Sequence, residues 1–153
     1  MNVESIIKGR IAGLVVSLMF QEAGYFVFRY GYEGIAGSLV QVGKLKKQKV
    51  LELLDSTPHF VVADREQGRI FLISVRFYGS VSSGRNIPWG YGELAGHWPE
   101  AYLLTVRANS PYFGIVTKDG GRLRIVPLGE AGIFKIKTDE IKKYGRIARK
   151  FLA

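Results

Sequence analysis

An imidazole, a hydroxyl and a guanidinium are the side chains in this sequence whose spacing invites chemistry: His59, Ser74 and Arg76. The short apolar runs 59–64 and 69–78 flank Arg65-Glu66-Gln67-Gly68, which has the composition of a hairpin loop. A hairpin turning about the middle of that loop puts position 59 directly across from position 74, with 76 one step along the same face. Such a trio can hydrogen-bond or hold an anion. As a zinc site it lacks partners, because His97 is the only other histidine and the chain has no cysteine. The plainest role for His59 is that of a strand-edge polar residue hydrogen-bonded to Ser74 or to the backbone. Arg76 follows a buried strand, so it either pairs with an acid such as Glu33 or Asp55 or points into the cleft as a phosphate-binding group.

Charge widens the search. Lys and Arg number 22 against 13 Asp and Glu, a formal net charge of +9, which favours a polyanionic partner. Two stretches collect much of it: Lys44, Lys46, Lys47 and Lys49 in one, and Lys142, Lys143, Arg146, Arg149 and Lys150 in the other. Each alone reads as a solvated helix face; two of them in a chain this basic raise nucleic acid as the expected partner. Trp89, Tyr91 and Trp98 could stack on unpaired bases, although capping the core or facing a second subunit suits them somewhat better. Gly31, Gly34, Gly37, Gly90 and Gly92 are not followed by the Lys-Ser/Thr that a phosphate loop requires. Without cysteine, disulfides and thiol chemistry are closed. Lys8 and Arg10 ahead of the apolar run 11–20 imitate a secretory leader, yet Glu4 spoils the charged segment, Gly13 and Ser17 interrupt the run, and no small-x-small cleavage pattern follows. The run is also too short to span a bilayer. We therefore expect a cytoplasmic protein with no membrane partner.

These residues need a scaffold, and hydrophobic periodicity supplies one. Val3, Ile6, Ile7, Ile11, Leu14, Val15, Leu18 and Met19 recur every three or four residues, predicting a helix that buries them as one broad stripe and ends at Gly24. Aromatic and β-branched residues over 25–30 predict a strand, and a second helix follows over 37–54, stopped by Thr57-Pro58. The second strand of the hairpin is apolar on both faces and is expected to be central and covered on both sides. Residues 79–99, rich in Gly, Ser and Pro, read as a long surface excursion with a short helical turn. Strands are expected over 101–106, 112–117 and 122–126, the last two joined by Asp119-Gly120-Gly121, and a final helix begins at Thr138. Its apolar face takes Ile141, Tyr144, Ala148, Phe151 and Leu152. No repeat, low-complexity tract or linker divides the 153 residues.

Four stretches tie this pattern to a known family. Lys8-Gly9-Arg10-Ile11-Ala12, Glu22-Ala23-Gly24-Tyr25, Thr57-Pro58-His59-Phe60 and Ile73-Ser74-Val75-Arg76-Phe77 resemble the landmarks of the PD-(D/E)xK nuclease superfamily, which includes restriction enzymes and archaeal Holliday junction resolvases. The likeness covers the first half of the chain. It implies a single nuclease-like domain over 1–153 and a restriction endonuclease-like α/β fold, a mixed central sheet flanked by helices. The implied order is helix, strand, helix, β-hairpin, further strands and a C-terminal helix. Active members hydrolyse phosphodiesters with magnesium held by an Asp after the proline and an acid on the next strand, while a Lys two residues later orients water or stabilises charge. Here those positions are His59, Ser74 and Arg76, and Gly13 stands where a helix-borne Glu is often found. A neutral imidazole and a hydroxyl cannot replace two carboxylates toward magnesium, and the guanidinium repels the cation. The resemblance thus implies a catalytically degenerate member that binds nucleic acid through its basic surface, uses no cofactor and does not cleave. Its other partner would be a second copy or an active nuclease. Two competitors stay open: an active nuclease using magnesium on relocated acids, for which Glu33, Asp55 and Asp64 are the nearby candidates, although Asp64 at the turn end of the hairpin is too far from position 59 to serve the same site, and a structural or dimerising module.

Overall fold

A computed structural model describes residues 3–30, 56–78 and 91–153; the helix expected over 37–54 and residues 79–90 of the long excursion lie outside them. The first helix, α1 (Val3–Glu22), stops where Gly24 takes a φ of 97°. There the Tyr25 N–H donates to the Phe20 carbonyl and the Gly24 N–H to that of Gln21, the paired bonds of a Schellman cap. β1 (Phe26–Arg29) leaves this cap and pairs antiparallel with β2 (Phe60–Asp64). β2 turns through residues 65–68 into β3 (Arg69–Tyr78), in a register running from Phe60 opposite Ile73 to Asp64 opposite Arg69. The expected hairpin is therefore present with its expected loop, and the Asp64 carboxylate closes the turn by accepting from the Glu66 and Gln67 N–H groups.

A short helix, α2 (Tyr91–His97), supplies the helical piece expected in the excursion. β4 (Ala101–Arg107), β5 (Phe113–Asp119) and β6 (Arg122–Pro127) follow. The last two turn through Gly120 and Gly121, both at positive φ, as a two-residue hairpin loop of the primed type requires. α3 (Thr138–Leu152) is the last element. Strand order follows chain order from β1 to β6, with β3 and β4 parallel and every other pair antiparallel. The described residues thus form an α/β fold, a six-stranded mixed sheet flanked by three helices.

α1 and α3 cover one face of the sheet, where Val15, Val16, Met19 and Phe20 of α1 and Ala148 and Leu152 of α3 join Phe60, Phe71, Ile73, Val75, Leu104 and Ile115 in the main core. Phe20, Tyr25, Phe71, Tyr102 and Phe134 interlock there, with Phe20 and Phe71 each meeting Phe134 edge to face at 4.9 Å between ring centroids. The opposite face carries a smaller cluster in which Leu94 of α2 meets Leu103 and Val116, and Trp98 packs against it as a cap.

Three expectations about burial fail in whole or in part. α1 buries Ala12, Gly13, Val15, Val16, Met19 and Phe20, while Val3, Ile6, Ile7, Leu14 and Leu18 are exposed. The helix is apolar nearly all round, so periodicity finds a stripe without saying which side meets the sheet. Small Ala12 and Gly13 take the interior, where a side chain on Gly13 would sit 3.7 Å from the Phe60 ring. Phe151, expected on the buried face of α3, is exposed as well. β3 is interior to the sheet, but its second face is covered only in part: Ser74 is buried and Ile70 exposed.

Candidate nucleic-acid interface

The regular β2–β3 register ends at Phe60 opposite Ile73. Beyond it the Tyr30 N–H donates to the His59 carbonyl and the His59 N–H to the Ile73 carbonyl, both at 2.9 Å, so the backbone of His59 is held to Ile73, and a direct 59–74 pair is not part of the register. The imidazole Nδ1 accepts the Val75 N–H at 2.8 Å. An imidazole accepting at Nδ1 carries its proton on Nε2. Of the two partners expected for His59, the backbone is one that it takes.

Side-chain alternation then sorts the rest. Phe71, Ile73 and Val75 belong to the core under α1, so Ser74 and Arg76 point to the opposite face. Ser74 is buried beside its neighbour in register, Leu103, and Arg76 is half-buried beside Thr105. The Thr105 hydroxyl donates to the Gly114 carbonyl at 3.3 Å, tying β4 to β5 under this surface. One further step along the same face, Tyr78 lies beside Arg107. Burial pushes the Tyr78 phenol up to about 12, against the opposing pull of the Arg76 and Arg107 charges. The Tyr78 hydroxyl and Arg107 Nε are buried without a hydrogen-bond partner among the described residues. A buried donor left unpaired costs roughly 1–3 kcal/mol, and two of them beside a second guanidinium suit an acceptor-rich ligand such as an oxyanion. Neither residue stands out in the sequence, because the register of a parallel pair is set across a long crossover and not by a turn.

The remaining expected residues scatter. Gly13 faces the Phe60 ring on the α1 side of the sheet, so the fold does not bring it to Ser74 and Arg76. Lys142, Lys143 and Arg146 are exposed on α3, also across the sheet from Arg76, so these described basic residues do not share a face with it. Lys143 is engaged by Glu22, its Nζ standing 2.8 and 3.1 Å from the two carboxylate oxygens, and the Tyr144 hydroxyl donates to the same group. These bonds, Lys143 first and Tyr144 second, hold the Glu22 carboxyl below its usual range. Lys44, Lys46, Lys47 and Lys49 lie outside the described residues, as do Glu33, Asp55 and Trp89. Asp64 sits at the turn end of the hairpin, opposite Arg69, with its carboxylate committed to the loop.

Among the described residues no group of three or more His, Cys, Asp or Glu is placed to hold a metal ion, and no helix is long and apolar enough to cross a membrane. Neither known family models nor curated proteins give a match to this chain.

Proposed function

We propose that this chain is a catalytically degenerate PD-(D/E)xK-like protein that binds nucleic acid through its phosphates and does not cleave it. The observation that carries this is the placement of Arg76 and Arg107 around the buried Tyr78 hydroxyl, at the carboxyl ends of the two parallel strands. Ligands of α/β sheets settle outside the carboxyl ends of parallel strands. Guanidinium groups are donors without acceptor capacity, and their planar fork matches phosphate oxygens. The neighbouring His59 and Ser74 bring no negative charge, so they add nothing that would repel a phosphate drawn to the two guanidinium groups. A hard divalent cation would find the reverse. Lys142, Arg146 and Arg149 on α3 add a second cationic face that strengthens sequence-independent attraction.

Binding through phosphates releases counterions, so affinity should fall as salt rises. Fluorescence anisotropy with labelled single- and double-stranded DNA and RNA, with and without magnesium or manganese, tests this. The expected result is salt-sensitive binding without strand cleavage, with the log–log salt slope shallower by about 0.9 on duplex DNA for each of Arg76→Ala and Arg107→Ala. Metal-dependent cleavage abolished by Glu33→Gln or Asp55→Asn would establish the nuclease with relocated acids instead. Absence of binding at low salt would leave the dimerising module.

A further inference from the structure

The outer face of α1 has an order that its buried face lacks. Val3, Ile7, Leu14 and Leu18 are 67%, 51%, 59% and 43% exposed, and at 100° per residue they fall within about 60° of helical arc. Their spacings of four, seven and four residues read the same in either direction. A second α1 running antiparallel, related by a two-fold axis passing between Arg10 and Ile11, would set Val3 of each copy against Leu18 of the other, and Ile7 against Leu14. We propose that this chain forms a two-fold homodimer through the outer face of α1.

Self-pairing is the occupant that the spacing favours, since an isologous interface must be complementary to its own reversal. The area is also of the right size. With Ile6 beside them, these side chains offer on the order of 400 Å² of apolar surface per copy, close to the somewhat more than half apolar share of the about 800 Å² that each partner gives to a standard interface. A membrane surface fits less well, because interfacial helices carry Lys and Arg along their polar border. Here Arg10 is the one cation on the exposed arc, and Lys8 is drawn back to Glu4 at 2.9 Å. The two Arg10 side chains approach the axis from the two copies and must splay into water. Their repulsion weakens as salt rises, so dimerisation strengthens with salt while phosphate binding weakens. The two proposals can therefore fail separately.

The absence of native cysteine makes disulfide trapping unambiguous. Positions 7 and 14 lie about 10.5 Å apart along one helix, beyond the about 7 Å between Cα atoms that a disulfide tolerates. In an Ile7→Cys/Leu14→Cys double variant, oxidation can therefore link only different copies. The dimer proposed predicts near-complete covalent dimer from the double variant and little from either single variant, whose like cysteines are offset by the same distance. Light scattering on the unmodified protein should give twice the chain mass, and Leu14→Glu should give the chain mass with an unchanged circular dichroism spectrum. A monomeric mass for the unmodified protein at high salt and sub-millimolar concentration would overturn the proposal, as would equal trapping in the single variants. Binding of the unmodified monomer to anionic phospholipid vesicles, lost in Leu14→Glu, would assign the face to a membrane surface instead.

Discussion

The Val75 N–H is satisfied by the His59 imidazole at 2.8 Å, which gives this histidine a structural weight whatever binds beside it. Replacing it by alanine strands a part-buried backbone donor, so His59→Ala is expected to lower stability by about 1–3 kcal/mol in urea denaturation. An unchanged midpoint would show that the bond is replaced without cost. The hairpin of β2 and β3 could be read directly from the sequence, because a short loop centred on 65–68 dictates its pairing from Phe60 opposite Ile73 to Asp64 opposite Arg69. Tyr78 and Arg107 could not be read as neighbours. Their neighbourhood depends on how a crossover of more than twenty residues returns the chain beside β3, and nothing local encodes that.

At the scale of elements, the end of α1 is fastened to the start of α3 through Glu22, which accepts from both Lys143 and Tyr144. The Glu22 carboxyl is held below its unfolded value, so its contribution is complete above the ordinary carboxylate range and disappears as pH falls through the folded value. The Tyr144 phenol is raised to about 12, chiefly by its bond to Glu22 and then by burial. Its contribution is complete below the ordinary phenol value of about 10 and is lost as pH climbs toward about 12. Thermal melts of the unmodified protein and Glu22→Gln should therefore differ most between about pH 5 and 10 and converge outside that window. A constant gap across the whole range would mean that the fastening is not electrostatic. The same helix shows where periodicity stops being informative. α1 was legible as a helix with an apolar stripe, but its apolar residues occupy more than one side, and the choice of Met19 and Phe20 over Leu14 and Leu18 for the interior is made by the shape of the sheet beneath.

Over the whole molecule, the segment between β6 and α3 contributes more to cohesion than its lack of pattern suggests. Phe134 lies in it and touches Phe20, Tyr25, Phe71 and Tyr102, joining α1, the cap and the sheet. Phe134→Ala is expected to cost about 3–5 kcal/mol, roughly 6–20 °C in melting temperature for a domain of this size; a shift of a degree or two would place the centre of the core elsewhere. The sequence by itself determined the α/β class, the β2–β3 hairpin with its loop, and the excess of cations. All of these follow from composition, from alternation along one strand, or from a turn of a few residues. Only the tertiary structure decided which side of α1 is inside, that Tyr78 stands beside Arg107, and that the basic face of α3 lies across the sheet from Arg76. Those outcomes rest on contacts between residues far apart in the chain, where shape and burial choose among arrangements that local pattern leaves equal.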